Sequence, residues 1–367
     1  MDRNRILFVC QDYTHANDGQ NVVTRRNLRL LKKCGIEVDE IMIESPSKGL
    51  LLKNVLMGES YGYNRTVAKK VNAALEKNYL FVFFDRSIFG PLVKKFAQKG
   101  LHTICFYHNV EAHISKRRLQ VTKNPFYWLL YRNTCSNEAV ASEYAETCIS
   151  ISERDQHELQ EVYGLKKVYL MPTSFIPAPQ EYFEIKEKSN NPYCLFVGSD
   201  FFANLEGMRW FIKEVVPNIP CNLKVVGSIC NSLKSLDLPH NVQLEGYVDN
   251  LNEYYRNAIC VVSPIFSGSG IKTKTIEALK YGKTILGTDE ALVGINLDLL
   301  DRIGKLCNTK QDFIEAINGT LKCPALINDG SLSVFNEYFS DEVAQTTLMS
   351  IIDKMFADAE TLDSKTI

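Results

Sequence analysis

Short runs of β-branched and aromatic residues alternate with helical patterns along the chain. In the first half these runs are apolar almost throughout, which is typical of strands covered on both faces of a sheet. They predict strands at residues 6–10, 38–43, 80–84, 103–108, 147–152 and 167–171. The patterns between them predict helices at 22–33, 65–77, 91–99, 126–144 and 154–163. Such alternation predicts parallel α/β units.

A proline-rich segment separates this half from a second series of the same kind. Three prolines between Pro172 and Pro179 precede a charged and polar stretch that ends at Pro192, and we interpret residues 175–192 as a linker. Strands are then predicted at 193–197, 223–226, 242–244, 259–263 and 284–286, and helices at 205–216, 251–256, 274–280, 310–321 and 341–359. The pattern predicts two doubly wound, Rossmann-like domains, 1–174 and 193–340, facing each other across a cleft at the carboxyl ends of their strands.

The composition is that of an ordinary globular protein. Of 367 residues, 45% are hydrophobic and 23% charged, which excludes disordered and fibrous classes, and the length favours two domains. The net charge of −1 argues against a nucleic-acid partner. Residues 1–174 carry 25 Lys and Arg against 18 Asp and Glu, a net of +7, whereas the remainder carries 17 against 25, a net of −8. The first half is therefore basic and the second acidic.

The eleven cysteines include no Cys-x-x-Cys pair, and most lie in apolar runs. A disulfide framework or a zinc site would need regular spacing or neighbouring histidines, so we expect buried thiols in a reducing cytosol. The apolar run at 6–10 is too short for a signal peptide, and no stretch reaches the roughly 18 apolar residues of a transmembrane helix. These features predict a cytoplasmic protein.

A glycine-rich loop follows the strand predicted at 259–263. Gly268 and Gly270 would let a ligand approach the backbone closely. The following helix would direct free amides and the positive end of its dipole at the same point, and Lys272 and Lys274 can add charge that neutralises a diphosphate. Glu277 could accept hydrogen bonds from the two hydroxyls of a ribose. The competing interpretation is a glycine-rich loop with an ordinary glutamate near a helix start.

The residues of this loop resemble a known family. Gly268–Ala278 follows the Gly-Ser-Gly-Ile-(Arg/Lys)-x-Lys-x-x-Glu-Ala run of retaining glycosyltransferase family 4, which has the GT-B fold. The segment Ser263–Thr288 resembles the family's donor-binding signature, and the resemblance extends over most of the chain. It implies catalytic roles for Lys272 and Glu277. It implies donor binding by Ser267, Gly268, Ser269, Gly270, Ile271 and Lys274, by Gly198 and Ser199 in the opening turn of the donor domain, and by Tyr247 and Val248 in the segment that contacts the base.

Weaker matches in the first half stand in the order that the family shows. Asp18-Gly19-Gln20-Asn21 occupies the place of the family's glycine-rich turn after strand one, which puts Gly19, Gln20 and Asn21 on the acceptor side. His108 ends the predicted strand 103–108, where the family has a histidine that contacts the donor sugar or the departing phosphate, so the resemblance implies a catalytic role for His108 as well. Glu111 is a candidate for acceptor contact. For both residues an ordinary structural role is the competing interpretation.

The sequence departs from the family at three places. Many members carry two glutamates separated by seven residues in the donor motif; Glu277 matches the second, and Ser267 stands near the first. The turn after strand one has the single glycine Gly19 where a pair is common. Basic residues expected after the first strand of the donor domain are absent, since Ser199 is followed by Asp-Phe-Phe. We hypothesise that Lys272 and Lys274 supply that charge instead.

The resemblance implies a retaining glycosyltransferase that moves a sugar from a nucleotide-diphosphate sugar to a glycan or lipid-linked acceptor, in surface polysaccharide biosynthesis. Helix amides and lysines would stabilise the leaving diphosphate. The sequence has no Asp-x-Asp triplet, so we expect neither a metal nor another cofactor. The helical segment 341–367 is expected to cross back to the first domain, as in the family. Two alternatives remain: a catalytically impaired, transferase-like binding partner, and a sugar-nucleotide epimerase of the same fold.

A basic stretch bears on where such an enzyme would act. Residues 115–123 are rich in Lys and Arg and precede the aromatic and leucine residues at 126–131. They fit contact with an anionic membrane, here its inner face. A solvated basic turn before a core helix explains the same residues, and both interpretations stay open.

Overall fold

The computed structural model describes residues 5–14, 19–122, 124–184, 191–268 and 270–363. The chain divides into two compact units: unit 1 consists of Met1–Pro172 and Ala344–Ile367, and unit 2 of Thr173–Val343. Each unit holds one six-stranded sheet, and neighbouring strands in both sheets are parallel. The α/β class and the two Rossmann-like domains predicted from the sequence are confirmed.

The sheet of unit 1 has the strand order β2-β1-β3-β4-β5-β6. Its strands are β1 (Arg5–Gln11), β2 (Glu37–Ile43), β3 (Val82–Phe84), β4 (Thr103–Tyr107), β5 (Thr147–Ser150) and β6 (Tyr169–Leu170). Its first helices are α1 (Gly19–Lys33), α2 (Lys48–Met57), α3 (Arg65–Leu75), α4 (Gly90–Ala97), α5 (Glu111–Thr122), α6 (Pro125–Tyr144) and α7 (Glu153–Tyr163). Strands β3 and β4 are buried along their whole length, as expected when helices cover both faces of a parallel sheet.

Strand order locates the ligand crevice of unit 1. β2 lies on one side of β1, whereas β3 and the later strands lie on the other. Doubly wound sheets bind ligands at the carboxyl ends of the strands where the order reverses, which here are β1 and β3. Polar residues follow these strands directly: Asp85 and Arg86 come after β3, and His108 comes after the neighbouring β4.

The sheet of unit 2 has the order β9-β8-β7-β10-β11-β12, which is that of the Rossmann fold. Its strands are β7 (Tyr193–Val197), β8 (Asn222–Val226), β9 (Val242–Gly246), β10 (Ala258–Ser263), β11 (Ile285–Gly287) and β12 (Gly304–Leu306). Its helices are α8 (Gln180–Glu184), α9 (Phe202–Glu214), α10 (Cys230–Leu233), α11 (Asn252–Asn257), α12 (Thr273–Lys280), α13 (Leu300–Ile303), α14 (Lys310–Lys322) and α15 (Asp329–Val334). The order reverses between β7 and β10, so their carboxyl ends border the crevice of this unit.

A last helix, α16 (Asp341–Asp363), contributes to unit 1 from Ala344 onward. Within that unit Asp358 pairs with Lys167, with 2.9 Å between Oδ2 and Nζ, and the Phe356 ring meets the His102 ring edge-on at 5.2 Å between centroids. Across the described helices, none combines the length and the apolar composition that crossing a membrane requires.

Several elements differ from those expected from the hydrophobic pattern. That pattern does not predict α2, α5 or β12, because the helices lack a clear apolar stripe and β12 is three residues long. The interpretation of the basic stretch as a turn is wrong, since these residues up to Thr122 belong to α5; Lys123 lies outside the described residues. The predicted linker contains α8, and its residues 185–190 also fall outside the description.

Candidate functional site

The carboxyl ends of β7 and β10 bring together two loops that the sequence singles out. Gly198 and Ser199 follow β7, and the glycine-rich loop follows β10. The Asn204 side chain closes this corner, since its Nδ2 donates to the Ser199 carbonyl oxygen at 2.9 Å. A Cβ at Gly207, on α9, would lie 1.7 Å from the Pro264 carbonyl oxygen. Glycine at 207 therefore allows α9 to pack directly against the loop.

The glycine-rich loop leads into the start of α12. The backbone angle φ is +152° at Gly268 and +62° at Gly270; Ser269 lies outside the described residues. Ile271 is buried, and a Cβ at Gly294 would come within 2.7 Å of its side chain. Lys272 is the N-cap of α12, and in the described structure its side chain makes no capping hydrogen bond. The first amides of α12 and the helix dipole can therefore bind an anion.

The two lysines of this segment have different environments. The Lys272 ammonium donates to Glu290 Oε1 and to the Gly270 carbonyl oxygen, both at 2.8 Å, so a carboxylate balances its charge. Lys274 donates to Asn204 Oδ1 and lies 4.4 Å from the centroid of the Phe196 ring. Burial, and then repulsion from the Lys272 ammonium, lower the pKa of Lys274 to about 7. A bound anion would therefore stabilise the charged form of Lys274.

Glu277 lies in the second turn of α12, C-terminal to both lysines. Burial raises the pKa of its carboxyl group, an effect that the Lys280 ammonium and a hydrogen bond from Tyr255 reduce. The Tyr255 hydroxyl donates to Glu277 Oε2 at 3.4 Å, and its ring stacks on Tyr281 at 4.3 Å between centroids. A carboxyl group held in this way can accept hydrogen bonds from ligand hydroxyls.

Glu206 is a carboxylate that the sequence does not point to. It lies on α9, and its Oε2 accepts a hydrogen bond of 2.6 Å from the hydroxyl of Ser267. Ser267 is the residue that stands near the first glutamate of the family motif. A carboxylate therefore lies beside that position, although it comes from 61 residues earlier in the chain. No local pattern distinguishes Glu206 from an ordinary exposed residue of a helix.

The remaining residues predicted to bind the donor lie at the same edge of the sheet. Tyr247 and Val248 follow the last residue of β9, and the Tyr247 side chain is 61% exposed. The amide of Gly227 donates to the Gly246 carbonyl oxygen at 2.7 Å, which ties the end of β9 to the end of β8. An exposed aromatic ring here can stack on a flat ligand group.

In unit 1 the crevice contains a buried carboxylate, Asp85. Its Oδ2 accepts a hydrogen bond of 2.6 Å from the Thr24 hydroxyl, and its Oδ1 accepts one of 2.6 Å from Asn27 Nδ2. The Nε2 atom of His108 lies 3.1 Å from Asp85 Oδ2. Asp85 therefore joins α1 to the ends of β3 and β4, and His108 is part of a side-chain network.

Arg86 organises the residues expected on the acceptor side. Its guanidinium donates to Gln11 Oε1 at 2.6 Å and to Gln20 Oε1 at 3.1 Å, and it forms an ion pair with Glu111. Gln20 and Glu111 are thus brought together although they are far apart in sequence. Gly19 and Asn21 flank Gln20 in the first turn of α1.

The start of α5 is fixed by Glu138, a buried residue of α6. The backbone amides of Glu111 and Ala112 donate to its two carboxylate oxygens at 2.9 and 3.0 Å. The hydroxyls of Ser87 and Tyr163 add two bonds of 2.8 Å. Sequence reasoning misses Asp85, Arg86 and Glu138. For the first two the available signal is that two charged residues directly follow a buried strand.

Comparison with known proteins adds a family model. Residues 191–322 match the model described as glycosyl transferases group 1, and this segment contains all six strands of the unit 2 sheet and the whole glycine-rich loop. No curated protein matches the chain.

Solved structures resemble the whole chain. Sucrose-phosphate synthase from Thermosynechococcus elongatus has a TM-score of 0.73 at 16% identity, covering 96% of this chain and 100% of its own. Anabaena HepE in complex with UDP-glucose has a TM-score of 0.62 at 15% identity, covering 98% and 99%. The lipopolysaccharide outer core galactosyltransferase WaaB has a TM-score of 0.61 at 12% identity, covering 95% and 99%. The fold is GT-B, and the matched segment supports a glycosyltransferase.

Proposed function

We propose that the chain is a retaining glycosyltransferase, similar to family 4, that transfers a sugar from a nucleotide-diphosphate sugar to a glycan or lipid-linked acceptor. The observation that carries the proposal is the start of α12 at the switch point of the unit 2 sheet. There the helix amides, Lys272 and Lys274 converge. Negative charge builds on the leaving diphosphate as the sugar departs, and preorganised donors of this kind stabilise it. No metal ion is part of the proposal.

Each unit has its own task in this proposal. Unit 2 binds the donor: Lys272 and Lys274 contact the diphosphate, Glu277 the ribose hydroxyls, and Tyr247 the base. Unit 1 contributes His108 and the cluster of Arg86, Gln20 and Glu111, whose polar groups suit a hydroxylated acceptor. HepE was solved with UDP-glucose, which makes UDP the first nucleotide to test.

The first experiment is thermal stabilisation of the full chain by a panel of nucleoside diphosphates. A ligand at one hundred times its Kd stabilises the folded state by about 2.7 kcal/mol, which raises Tm by roughly 5–10 °C for a domain of this size. Lys274→Met should weaken the response. If no nucleoside diphosphate raises Tm, the donor site is wrong.

Turnover and stereochemistry are tested next. The chain is incubated with the stabilising sugar nucleotide and an extract containing glycan acceptors, and the new linkage is examined by NMR. A product with the anomeric configuration of the donor supports retention. Inversion contradicts it. Binding without turnover in any extract supports the impaired binding partner instead.

Contact with an anionic membrane is a further part of the proposal, because surface glycans are assembled on lipid carriers. Lys116, Arg117 and Arg118 lie on α5, and each basic residue near such a surface contributes about 1 kcal/mol. The triple alanine variant should sediment less with vesicles of anionic lipid than the unmodified chain. Equal sedimentation of both would remove the support for this contact.

A further inference from the structure

The side-chain amide of Asn204 is hydrogen-bonded at both ends. Asn204 lies in the first turn of α9 and is buried, with 7% of its surface exposed. Its Nδ2 donates to the Ser199 carbonyl oxygen at 2.9 Å, and its Oδ1 accepts a hydrogen bond from the Lys274 ammonium. Turning the amide over would place its NH2 group against that ammonium and its oxygen against a carbonyl. Its orientation is therefore fixed, and it presents an acceptor to Lys274.

Lys274 contacts uncharged groups on the two elements that pack against its side chain. Its Nζ lies 4.4 Å from the centroid of the Phe196 ring, on β7, and Asn204 approaches from α9. The charged neighbour that acts on it is Lys272, whose own ammonium pairs with Glu290 at 2.8 Å. Burial, and then repulsion from Lys272, lower the pKa of Lys274 to about 7.

Two further carboxyl groups of this corner have other partners. Glu206, on α9, accepts a hydrogen bond of 2.6 Å from the Ser267 hydroxyl. Glu277, three residues after Lys274 on α12, accepts one of 3.4 Å from the Tyr255 hydroxyl. The contacts of Lys274 within the described ranges include no ion pair with a carboxylate. A negatively charged ligand at this point would therefore balance its charge.

We propose that Asn204 is a positioning residue for Lys274: it holds the ammonium against the diphosphate of the sugar nucleotide and, being uncharged, leaves its positive charge to be balanced by that ligand. This inference deepens the proposed function and rests on it. An aspartate has the shape of an asparagine but would pair with Lys274, as Glu290 pairs with Lys272. The amide at position 204 thus makes Lys274 the lysine that responds to the charge of a ligand.

The effect of Asn204 on Lys274 is measured first in the chain without ligand. Lysine labelled with carbon-13 at Cε gives a titration curve for each side chain, and Lys274→Met identifies the curve of interest. Asn204→Asp should move the pKa of Lys274 from about 7 to about 8–10, because an adjacent negative charge favours the ammonium. The control Asn218→Asp adds the same charge at an exposed residue beyond the carboxyl end of α9 and should leave the curve unchanged.

Calorimetric titration of UDP then tests whether the effect reaches the ligand. At about pH 8, Asn204→Asp should take up less than about half a proton per UDP, because its Lys274 is already charged. Asn204→Leu removes the acceptor and should bind UDP about fivefold more weakly, which corresponds to the loss of one hydrogen bond. In the Lys274→Met background the same change should alter the affinity less than about twofold, because a residue that acts through another adds nothing once the other is gone.

The outcomes distinguish failure of this inference from failure of the proposed function. An unchanged Lys274 curve in Asn204→Asp, or an equal shift in Asn218→Asp, overturns the assignment of Asn204, whatever the chain binds. Additive losses of UDP affinity in the double variant overturn it too. If Asn204→Leu does not fold, the titration curve and the proton uptake of Asn204→Asp decide. The expected curves in a chain that binds no nucleoside diphosphate would confirm the effect of Asn204 on Lys274, but would overturn its role towards a diphosphate together with the proposed function.

Discussion

Binding of a nucleoside diphosphate to this chain should be accompanied by uptake of a proton from solution, and we expect the side-chain amine of Lys274 to accept it. In the ligand-free chain the pKa of Lys274 is lowered to about 7 by burial and by Lys272. The groups that contact its ammonium, Asn204 Oδ1 and the Phe196 ring, are uncharged. A diphosphate beside the ammonium would favour the charged form and return the pKa towards its ordinary value of 10.5.

The size of the effect follows from these two pKa values. At about pH 8 a group with a pKa near 7 is roughly 10% protonated, so full protonation in the complex takes up about 0.9 proton. A terminal phosphate, with a pKa of about 6, is already ionised at that pH and contributes little. For the same reason the affinity should fall about 50-fold between pH 7 and pH 9, as the free lysine loses its charge.

The measurement is calorimetric titration of UDP into the full chain, in buffers of different ionisation enthalpy. The slope of the observed enthalpy against the buffer enthalpy gives the number of protons. Lys274→Met, which keeps the length of the side chain, should bind more weakly and without uptake. Lys310→Met, on the exposed side of α14, should behave as the unmodified chain. Uptake below about 0.2 proton, or equal uptake in Lys274→Met, would refute the reasoning.

Three further predictions concern stability, and each is measured by urea unfolding. Gly207→Ala should lower the free energy of unfolding by about 1–3 kcal/mol, because the new Cβ meets the Pro264 carbonyl oxygen. Its control, Gly319→Ala on α14, has nothing near the new Cβ and should raise the free energy of unfolding by about 0.5–1 kcal/mol. Equal effects of the two substitutions would contradict the packing of α9 against the loop. Glu138→Gln should lose about 2–4 kcal/mol, since an amide leaves two of four donors without an acceptor; a loss below about 1 kcal/mol would contradict this. Burial lowers the pKa of Lys283 to about 7, below its ordinary 10.5, so the unfolded chain binds more protons between these values and stability rises with pH. Lys283→Met should reduce the rise between pH 7 and pH 9 by about 2 kcal/mol, and an unchanged slope would be inconsistent with this pKa.

The periodicity of the sequence is sufficient to predict most of the two sheets. In the described part of the chain, eleven of the twelve strands coincide with predicted strands. Most of these are apolar runs, as strands buried on both faces require, whereas β2 and β9 include exposed polar positions. The runs overestimate strand length where only part of a segment pairs, as at β6, where two residues form the ladder. Strand β12 is not predicted because its three residues are too few to show a hydrophobic pattern. Helix α5 is not predicted because it has no clear apolar stripe. Its start is held instead by its first amides, which donate hydrogen bonds to the distant Glu138.

The candidate site of unit 2 is predictable because its residues are consecutive. The loop from Gly268 to Glu277 occupies ten positions, and glycines, lysines and a helix start within that distance already specify a phosphate site. What the sequence does not contain is the charge state of the lysines. The carboxylate of Glu290, which follows β11, balances the charge of Lys272. The Asn204 amide, on α9, contacts Lys274 but carries no charge that could balance it. The difference between the two lysines is a tertiary property.

The residues of the unit 1 network are far apart in sequence. For that reason the sequence predicts only His108 and parts of the Arg86 cluster. Thr24 and Asn27 lie 61 and 58 residues from Asp85, and His108 lies 23 residues from it. The strand order of the sheet nevertheless identifies Asp85 as a candidate site residue. Once β1 and β3 are recognised as the strands that flank the reversal of order, the residue after β3 must point at the crevice edge. A carboxylate there, after three fully buried residues, has to be balanced by donors, and those donors determine how the histidine of the next strand is oriented.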